Sequence, residues 1–551
     1  MSVPLEGLRA MGDFLAPSTL MVLRRAGALD FKGPLASIGY LPWLIGRGPS
    51  LGMLAYMNSF ALGDKPAIHD RNGMVTWAGV NERSNRLAHA IEAAGVRPGQ
   101  RVAQLVRNGR EWVEIVLAAQ KLGVVACPFN TWAKSKELQS TLASAGPALL
   151  FHDAAHSETV DRWVPKDLAR VVIGDAGDEI ATGVSYEEFI AGQPGSPPTP
   201  FVRNRAAPKI IIQTSGTTGV PKGASRNAAA AGFGALANVI RTVPYRREDV
   251  VLCPCPLFHS FGLLTFVISA ALGATVVLPD RFEAEDSLES IEKQSVTAAS
   301  FVPIMIQRVL ALPDSIKSRY DLSSLRIVMA SGSALSERMR EGARELFGDV
   351  LYDLYGSTEV GWIAIATPPD MRRHPTTVGK PVPRNEVAVF TAEGRRLGPE
   401  QRGELFIKSD VTFEGYTSGE SREQREGFMS VGDIGHLDEE GYIYVEGRTD
   451  DMVAIGGENV YPIEIEETIE RIPGVREVAV VGIPDDEYGH LLAAFVSGDA
   501  SPEEITDMCK RELASYKVPR RIEVLEELPR TTTGKVLKRD LTDALDRRAS
   551  G

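Results

Sequence analysis

A regular alternation of short apolar runs with amphipathic runs constrains this chain more than any other feature. From residue 66, "PAIHD" and "MVTW" flank Asn72-Gly73, a pair that favours a tight hairpin. "NRLAHAIEAAG" repeats apolar residues at helical spacing and stops at Gly95; "RVAQLV" then reads as a strand. "EWVEIVLAAQKLG" is a second helix and "VVACPF" a further strand. Strand–helix–strand order implies a parallel sheet with helices on both faces. The rhythm returns in 208–213, 250–278, 296–350 and, after a polar stretch, 385–445. Within it, "VLCPCPLF" reads as a strand leading to His259.

At 551 residues the chain exceeds what one core organises, so two domains or more are expected. The pattern changes near Asp450. Beyond it, "YPIEIEETIERI" predicts a helix, and "EVAVVGI" and "LLAAFV" predict strands. Ser501-Pro502-Glu503-Glu504 predicts a helix start with proline in the first turn and a capping-box glutamate. The fold class expected is α/β: a large N-terminal domain of mostly doubly covered sheets, residues 61–450, plus a small α+β domain, 451–551. An extension, 1–60, mixes arginine with tryptophan, tyrosine and leucine. It is expected to pack on the main domain, with peripheral membrane contact as the alternative.

Residues 261–278, "FGLLTFVISAALGATVVL", carry no charge and reach the lower length limit of a membrane span. Gly273 nevertheless reads as a helix stop and "TVVL" as a buried strand, so a core helix followed by a strand is expected. The first residues lack a basic segment followed by an apolar run, so no signal peptide is expected. Four scattered cysteines suit neither a disulfide framework nor a zinc site, and a cytoplasmic setting follows. A net charge of −12 argues against nucleic acid as partner.

"TSGTTGVPKGA", residues 214–224, carries the chemistry. It follows the apolar "KIIIQ" and packs glycines among small hydroxyl residues. Backbone N–H groups freed by glycine, with rotatable hydroxyls, suit a phosphate. It is not the common P-loop: Pro221 stands where the second glycine should, and Gly223 where Ser or Thr should follow Lys222.

This loop resembles the signature of the adenylate-forming superfamily of acyl-CoA synthetases, nonribosomal adenylation domains and beetle luciferases. Six further blocks match in the same order: "PLFHSFG", "YDLYGSTEVG", "GELFIKS", "SVGDIGHLDEEGYIYVEGRTDD", "GGENVYPIEIE" and "PRTTTGKVLKR". The resemblance runs from about residue 60 to the end and is most like bacterial fatty-acyl-CoA synthetases. It makes residues 61–450 the AMP-binding domain and the C-terminal domain mobile.

The resemblance implies ATP and Mg²⁺ as cofactors and coenzyme A as co-substrate. Thr214, Ser215, Gly216, Thr217, Thr218, Gly219 and Lys222 would cradle phosphates. Glu359 would hold Mg²⁺, a hard cation that takes oxygen ligands. Thr358 would touch the α-phosphate and Tyr355 stack on adenine, with Asp353, Gly356 and Ser357 alongside. Gly332, Ser333 and Ala334 would wall the adenine, although a plain strand-to-helix turn capped by Ser336 reads equally well. Asp433 and Arg448 would hold the ribose; Val431 replaces the family's more frequent threonine. Asp450 would be the hinge, or a simple turn residue. Lys535 would bridge carboxylate and phosphate during adenylation. His259 would gate the acid pocket, and Gly456, Gly457 and Glu458 would serve the coenzyme A side.

The expected reaction has two steps. A carboxylate and Mg·ATP give acyl-AMP and pyrophosphate; a thiol then displaces AMP. No carrier domain follows "LKRDLTDALDRRASG", so coenzyme A is the expected acceptor, a free carrier protein being the alternative. "PLFHSFG" lacks an aspartate to pair an α-amine, which disfavours amino acids. A medium- to long-chain fatty acid is expected first, an aryl or polycyclic acid second. An oxidative luciferase-like enzyme would share the adenylation step. A silent nucleotide-binding relative should have lost Lys535, Glu359 or Asp433, and all three are present.

Overall fold

The computed structural model of the protein describes residues 50–133, 135–174, 183–198, 209–214, 222–227, 233–357, 359–409, 422–455, 458–485, 488–531 and 535–549. Two large sheets dominate. The first has nine strands in the order Lys380–Pro381, Gly361–Ala366, Leu351–Ser357, Ile327–Ser331, Ala298–Phe301, Val250–Leu252, Thr275–Val277, Pro66–Asp70 and Gly73–Thr76. Its six central strands run parallel and its two edges are antiparallel hairpins. The second has seven strands, from Val184–Ser185 through Arg170–Ile173, Leu149–Asp153, Arg101–Leu105, Val125–Pro128 and Lys209–Thr214 to Lys222–Asn227. Only the last pairing is antiparallel.

Helices Trp77–Ala93 and Arg110–Leu122 join these sheets into one core that takes Ile68 and Val276 from the first and Val102 and Phe151 from the second. Trp77 and Trp112 are fully buried there. Fully burying an apolar side chain is worth about 1.5–3 kcal/mol, so this shared core binds the sheets firmly. The first helix begins at Trp77, eight residues before "NRLAHAIEAAG", because the Thr76 hydroxyl accepts from Gly79 N–H and caps it there.

Three expectations about local structure meet the coordinates directly. Residues 261–278 form helix Ser260–Leu272, a left-handed Gly273 with φ 70° and strand Thr275–Val277. Among the described residues no helix is long and apolar enough to cross a membrane. "VLCPCPLF" is shorter than expected as a strand. It ends at Leu252, since the alternating Pro254 and Pro256 cannot donate to a ladder, and His259 instead precedes helix Ser260–Leu272.

The stretch 385–445 departs from the α/β rhythm. It forms an antiparallel sheet of Glu386–Phe390, Gly403–Lys408, Gln424–Arg425, Phe428–Leu437 and Ile443–Arg448, with no helix among its described residues. Connections such as 438–442 are too short for a crossover, so neighbours must reverse direction.

The smaller C-terminal domain has its own three-stranded sheet, Val475–Asp485, Gly489–Gly498 and Arg521–Leu525. Helices Pro462–Glu470 and Pro502–Glu512 close one face over Val480, Val496, Ile465, Ile469 and Ile505. Helix Lys538–Ala549 closes the other over Ala479, Phe495 and Leu541. Ser501 and Glu504 form the capping box read from the sequence.

Candidate functional site

In open α/β sheets ligands bind beyond the carboxyl ends of the parallel strands. Strand Ile327–Ser331 delivers Gly332, Ser333 and Ala334, all exposed; Gly332 has φ 104°, which only glycine adopts freely. The Ser336 hydroxyl caps the helix that follows, the strand-to-helix turn read from "ASGSALS". Thr214 and Lys222 face each other across the hairpin of Lys209–Thr214 and Lys222–Asn227. The signature is thus carried on a strand-to-strand turn, unlike the strand-to-helix turn of a P-loop. Ser215, Gly216, Thr217, Thr218, Gly219, Thr358, Gly456 and Gly457 lie outside the described residues, as does the extension before Ser50. Glu458 begins the short strand Glu458–Val460.

Leu351–Ser357 and Gly361–Ala366 make another hairpin, at an edge of the nine-stranded sheet. In its turn the Ser357 hydroxyl accepts from the N–H groups of Glu359 (3.3 Å) and Val360 (3.4 Å). Glu359 is only 8% exposed, and Arg422 reaches its Oε1 at 3.3 Å. A buried carboxylate with one guanidinium beside it suits a Mg²⁺ ion by its chemistry, since that ion usually takes one or two carboxylates and completes its shell from substrate phosphates and water.

Asp433 lies mid-strand opposite Arg448. Its carboxylate accepts from the Tyr355 hydroxyl at 2.5 Å and from Arg448 Nη1 at 2.9 Å. Burial pushes the Asp433 carboxyl above its usual range, against the pull of Arg448 and Tyr355. Burial likewise raises the Tyr355 hydroxyl, and the Asp433 charge adds to it. Burial disfavours the Arg448 charge, but Asp450 and Asp433 outweigh it and hold that guanidinium more basic than usual. Arg448 Nε also reaches Asp450 at 2.8 Å, in the turn that leads to Val453–Ile455.

Lys535 arrives from the C-terminal domain. It keeps solvent contact along the cleft, yet protein surrounds it closely enough to lower its pKa through burial and through Arg448. The charges of Asp433, Glu359 and Asp450 pull the other way. The same ammonium acts on His259, whose pKa is brought down to about 3 by burial first and Lys535 second. His259 is therefore a neutral imidazole. Its ring lies 4.4 Å from that of Phe258.

Three residues here escaped the sequence reading. Asp353, expected on the nucleotide side, has its buried carboxylate committed to Arg340 at 2.8 Å. Nothing in "SERMREGA" announces that partner. Arg422 at Glu359 comes from a polar stretch without a motif. Trp132, 53% exposed, meets Phe258 edge-on at 6.0 Å. An exposed tryptophan after the strand "VACP" was the one signal available.

Lys535, Asp433, Glu359 and His259 thus come from four segments to lie within electrostatic reach of the Lys535 ammonium. The chain matches the AMP-binding enzyme family over residues 59–417 and its C-terminal domain over 464–535. It belongs to that family, as an adenylate-forming acid ligase that uses ATP. Among its relatives, a fatty acid–acyl-carrier-protein ligase, ScoC, from Streptomyces coeruleorubidus is 31% identical over 90% of this chain and 97% of its own. An indoleacetate–CoA ligase from Aromatoleum aromaticum is 32% identical over 88% and 96%. Of solved structures, the anthranilate CoA ligase AuaEII in complex with anthranoyl-AMP superposes with a TM-score of 0.81 at 27% identity, covering 91% of this chain and 98% of that one.

Proposed function

We propose that this protein joins a medium- to long-chain fatty acid to coenzyme A through an acyl-AMP intermediate. The observation that carries the reading is the position of Lys535, whose charge is felt by Asp433, Glu359 and His259 together. A carboxylate oxygen attacks the α-phosphorus of ATP, and the bond to the pyrophosphate oxygen breaks. Lys535 offsets the repulsion between the two anions and stabilises charge growing on the α-phosphate. Asp433 accepts from the ribose hydroxyls, which compete with Tyr355 and Arg448 for the same oxygens. Glu359 holds Mg²⁺, which supplies charge neutralisation on the phosphates when bound. His259, being neutral, presents no charge to an apolar tail. In the second step the thiolate sulfur attacks the acyl carbon, and AMP leaves with the bonding electrons. The small domain turns at Asp450 to withdraw Lys535 and bring Glu458 toward the thiol, because the two steps need different surroundings.

A specific observation favours a second reading, an aryl or polycyclic acid. Trp132, Phe258 and His259 form an aromatic cluster at the cleft, and flat rings pack on such faces. The relative that acts on indoleacetate supports it, whereas ScoC supports the fatty acid and raises a carrier protein as acceptor.

Pyrophosphate release over a panel of fatty, aryl and steroid-like acids, with coenzyme A or a carrier protein, tests both. Fatty acids should be fastest. A preference for amino acids, or no acid-dependent cleavage of ATP between its α and β phosphorus atoms, overturns the proposal. Lys535→Ala should abolish acyl-AMP formation and leave thioester formation from supplied acyl-AMP largely intact; equal loss in both refutes its role.

A further inference from the structure

Lys535 sits on a loop of the small domain, so something must fix that domain against the large one. A solvent-filled cleft of 1340 Å³ separates helices Pro303–Leu310 and Glu337–Phe347 from the small domain, with charged residues on both walls. Among the described residues Gln307 and Arg338 reach across it to main-chain atoms, and Glu470 of the small domain reaches the Ser336 side chain. Gln307 Nε2 donates to the Arg476 carbonyl at 2.5 Å, and Arg338 Nη1 donates to the Val475 carbonyl at 2.9 Å. Both acceptors are main-chain atoms at the start of strand Val475–Asp485, a rigid part of the small domain.

That strand leads directly to Lys535. Glu477, one residue on, pairs with Arg530 at 3.0 Å. Arg530 is bridged through its backbone to Val536, and the Thr531 N–H donates to the Lys535 carbonyl at 2.7 Å. The Thr531 hydroxyl in turn accepts from Lys535 N–H at 3.1 Å. A continuous series of short contacts therefore runs from the large-domain helices to the backbone of the lysine.

We propose that Gln307 and Arg338 are positioning residues for adenylation: they hold the Val475–Arg476 carbonyls and, through Glu477 and Arg530, set Lys535 over the site. They touch neither ATP nor acid. Their hydrogen bonds lie beside open solvent and exchange readily for water, which makes the contact a releasable latch rather than a permanent joint. It rests on the adenylation reading for its consequence in catalysis, but not for the geometry of the domains.

The experiment compares the unmodified protein with Gln307→Ala/Arg338→Ala. Acid-dependent ATP–pyrophosphate exchange should fall about tenfold in kcat, equal to about 1.4 kcal/mol, with KM for ATP and acid unchanged. Thioester formation from supplied acyl-AMP should not fall. Arg338→Lys in place of Arg338→Ala should restore much of the loss. Equal losses in both half-reactions overturn the proposal.

A second readout needs no activity. All four cysteines are buried, so spin labels on Ser323→Cys and Asp507→Cys, one exposed site in each domain, report the inter-domain distance. A narrow distribution that broadens on Gln307→Ala/Arg338→Ala supports the latch, and an unchanged one refutes it. If the unmodified protein shows no acid-dependent exchange, the adenylation reading fails by itself and the labels still decide the latch.

Discussion

The hairpin of Leu351–Ser357 and Gly361–Ala366 holds Glu359 by close backbone packing, and Gly356 is where that packing leaves no room. A Cβ at Gly356 would lie 3.1 Å from Trp362 Cα and 3.2 Å from the Gly361 carbonyl carbon, with the carbonyl oxygen nearer still. Ordinary contact begins at 3.4 Å. Backbone cannot rotate aside as a side chain can, so Gly356→Ala must part the strands by roughly 0.5–1 Å, and overpacking of this kind costs roughly 1–3 kcal/mol. The larger effect falls on catalysis. A displacement of about 1 Å in a reacting constellation is worth about 100-fold in rate, and this turn carries both Thr358 and Glu359. Acid-dependent ATP–pyrophosphate exchange should therefore drop by about two orders of magnitude, while thermal unfolding shifts by only a few degrees. Gly398→Ala is the control, since its Cβ would meet nothing nearer than Gln401 Oε1 at 4.0 Å. A folded Gly356→Ala protein with near-normal exchange would refute the reasoning that this turn fixes the carboxylate proposed to hold the metal.

Further outcomes follow from Lys535, Asp433 and His259. Because Lys535 is held below its ordinary pKa, kcat/KM for ATP in adenylation should fall on an alkaline limb that begins below pH 10.5, as the ammonium loses its proton. Asp433 raises that pKa, so Asp433→Asn should move the limb to lower pH whatever it does to the height of the profile; a limb that stays put refutes the link. His259 titrates near pH 3, so KM for the acid should show no imidazole transition between pH 5 and 8. Since the unfolded chain binds that proton near 6.5, the stabilising effect of a neutral His259 is complete above 6.5 and is lost as pH falls toward 3. His259→Ala should raise KM for the acid several-fold and leave KM for ATP unchanged, measured by pyrophosphate release.

What the sequence made legible follows from the range over which each feature is determined. Helix Ser260–Leu272 and the capping box at Ser501 depend on neighbours within a few residues, so their letters sufficed. Lys535, Asp433 and Glu359 stand in blocks whose order survives in a string. Arg340 against Asp353 and Trp132 against Phe258 depend on segments brought together only by the folded sheets, and neither Arg340 nor Trp132 lies in a block. The antiparallel sheet of 385–445 was misread because alternating strands look alike whichever way they run; the short connections, not the strands, carried the direction.

Arg448 grips Asp433 and Asp450 with one guanidinium, so on the proposed reading the side chain facing the sugar would also brace the joint between the two domains. Sugar preference and swing rate are therefore not independent traits. An engineer who rebuilds the Asp433 environment to accept a different nucleotide will, by the same edit, detune the pivot, and must compensate at Asp450 to recover turnover.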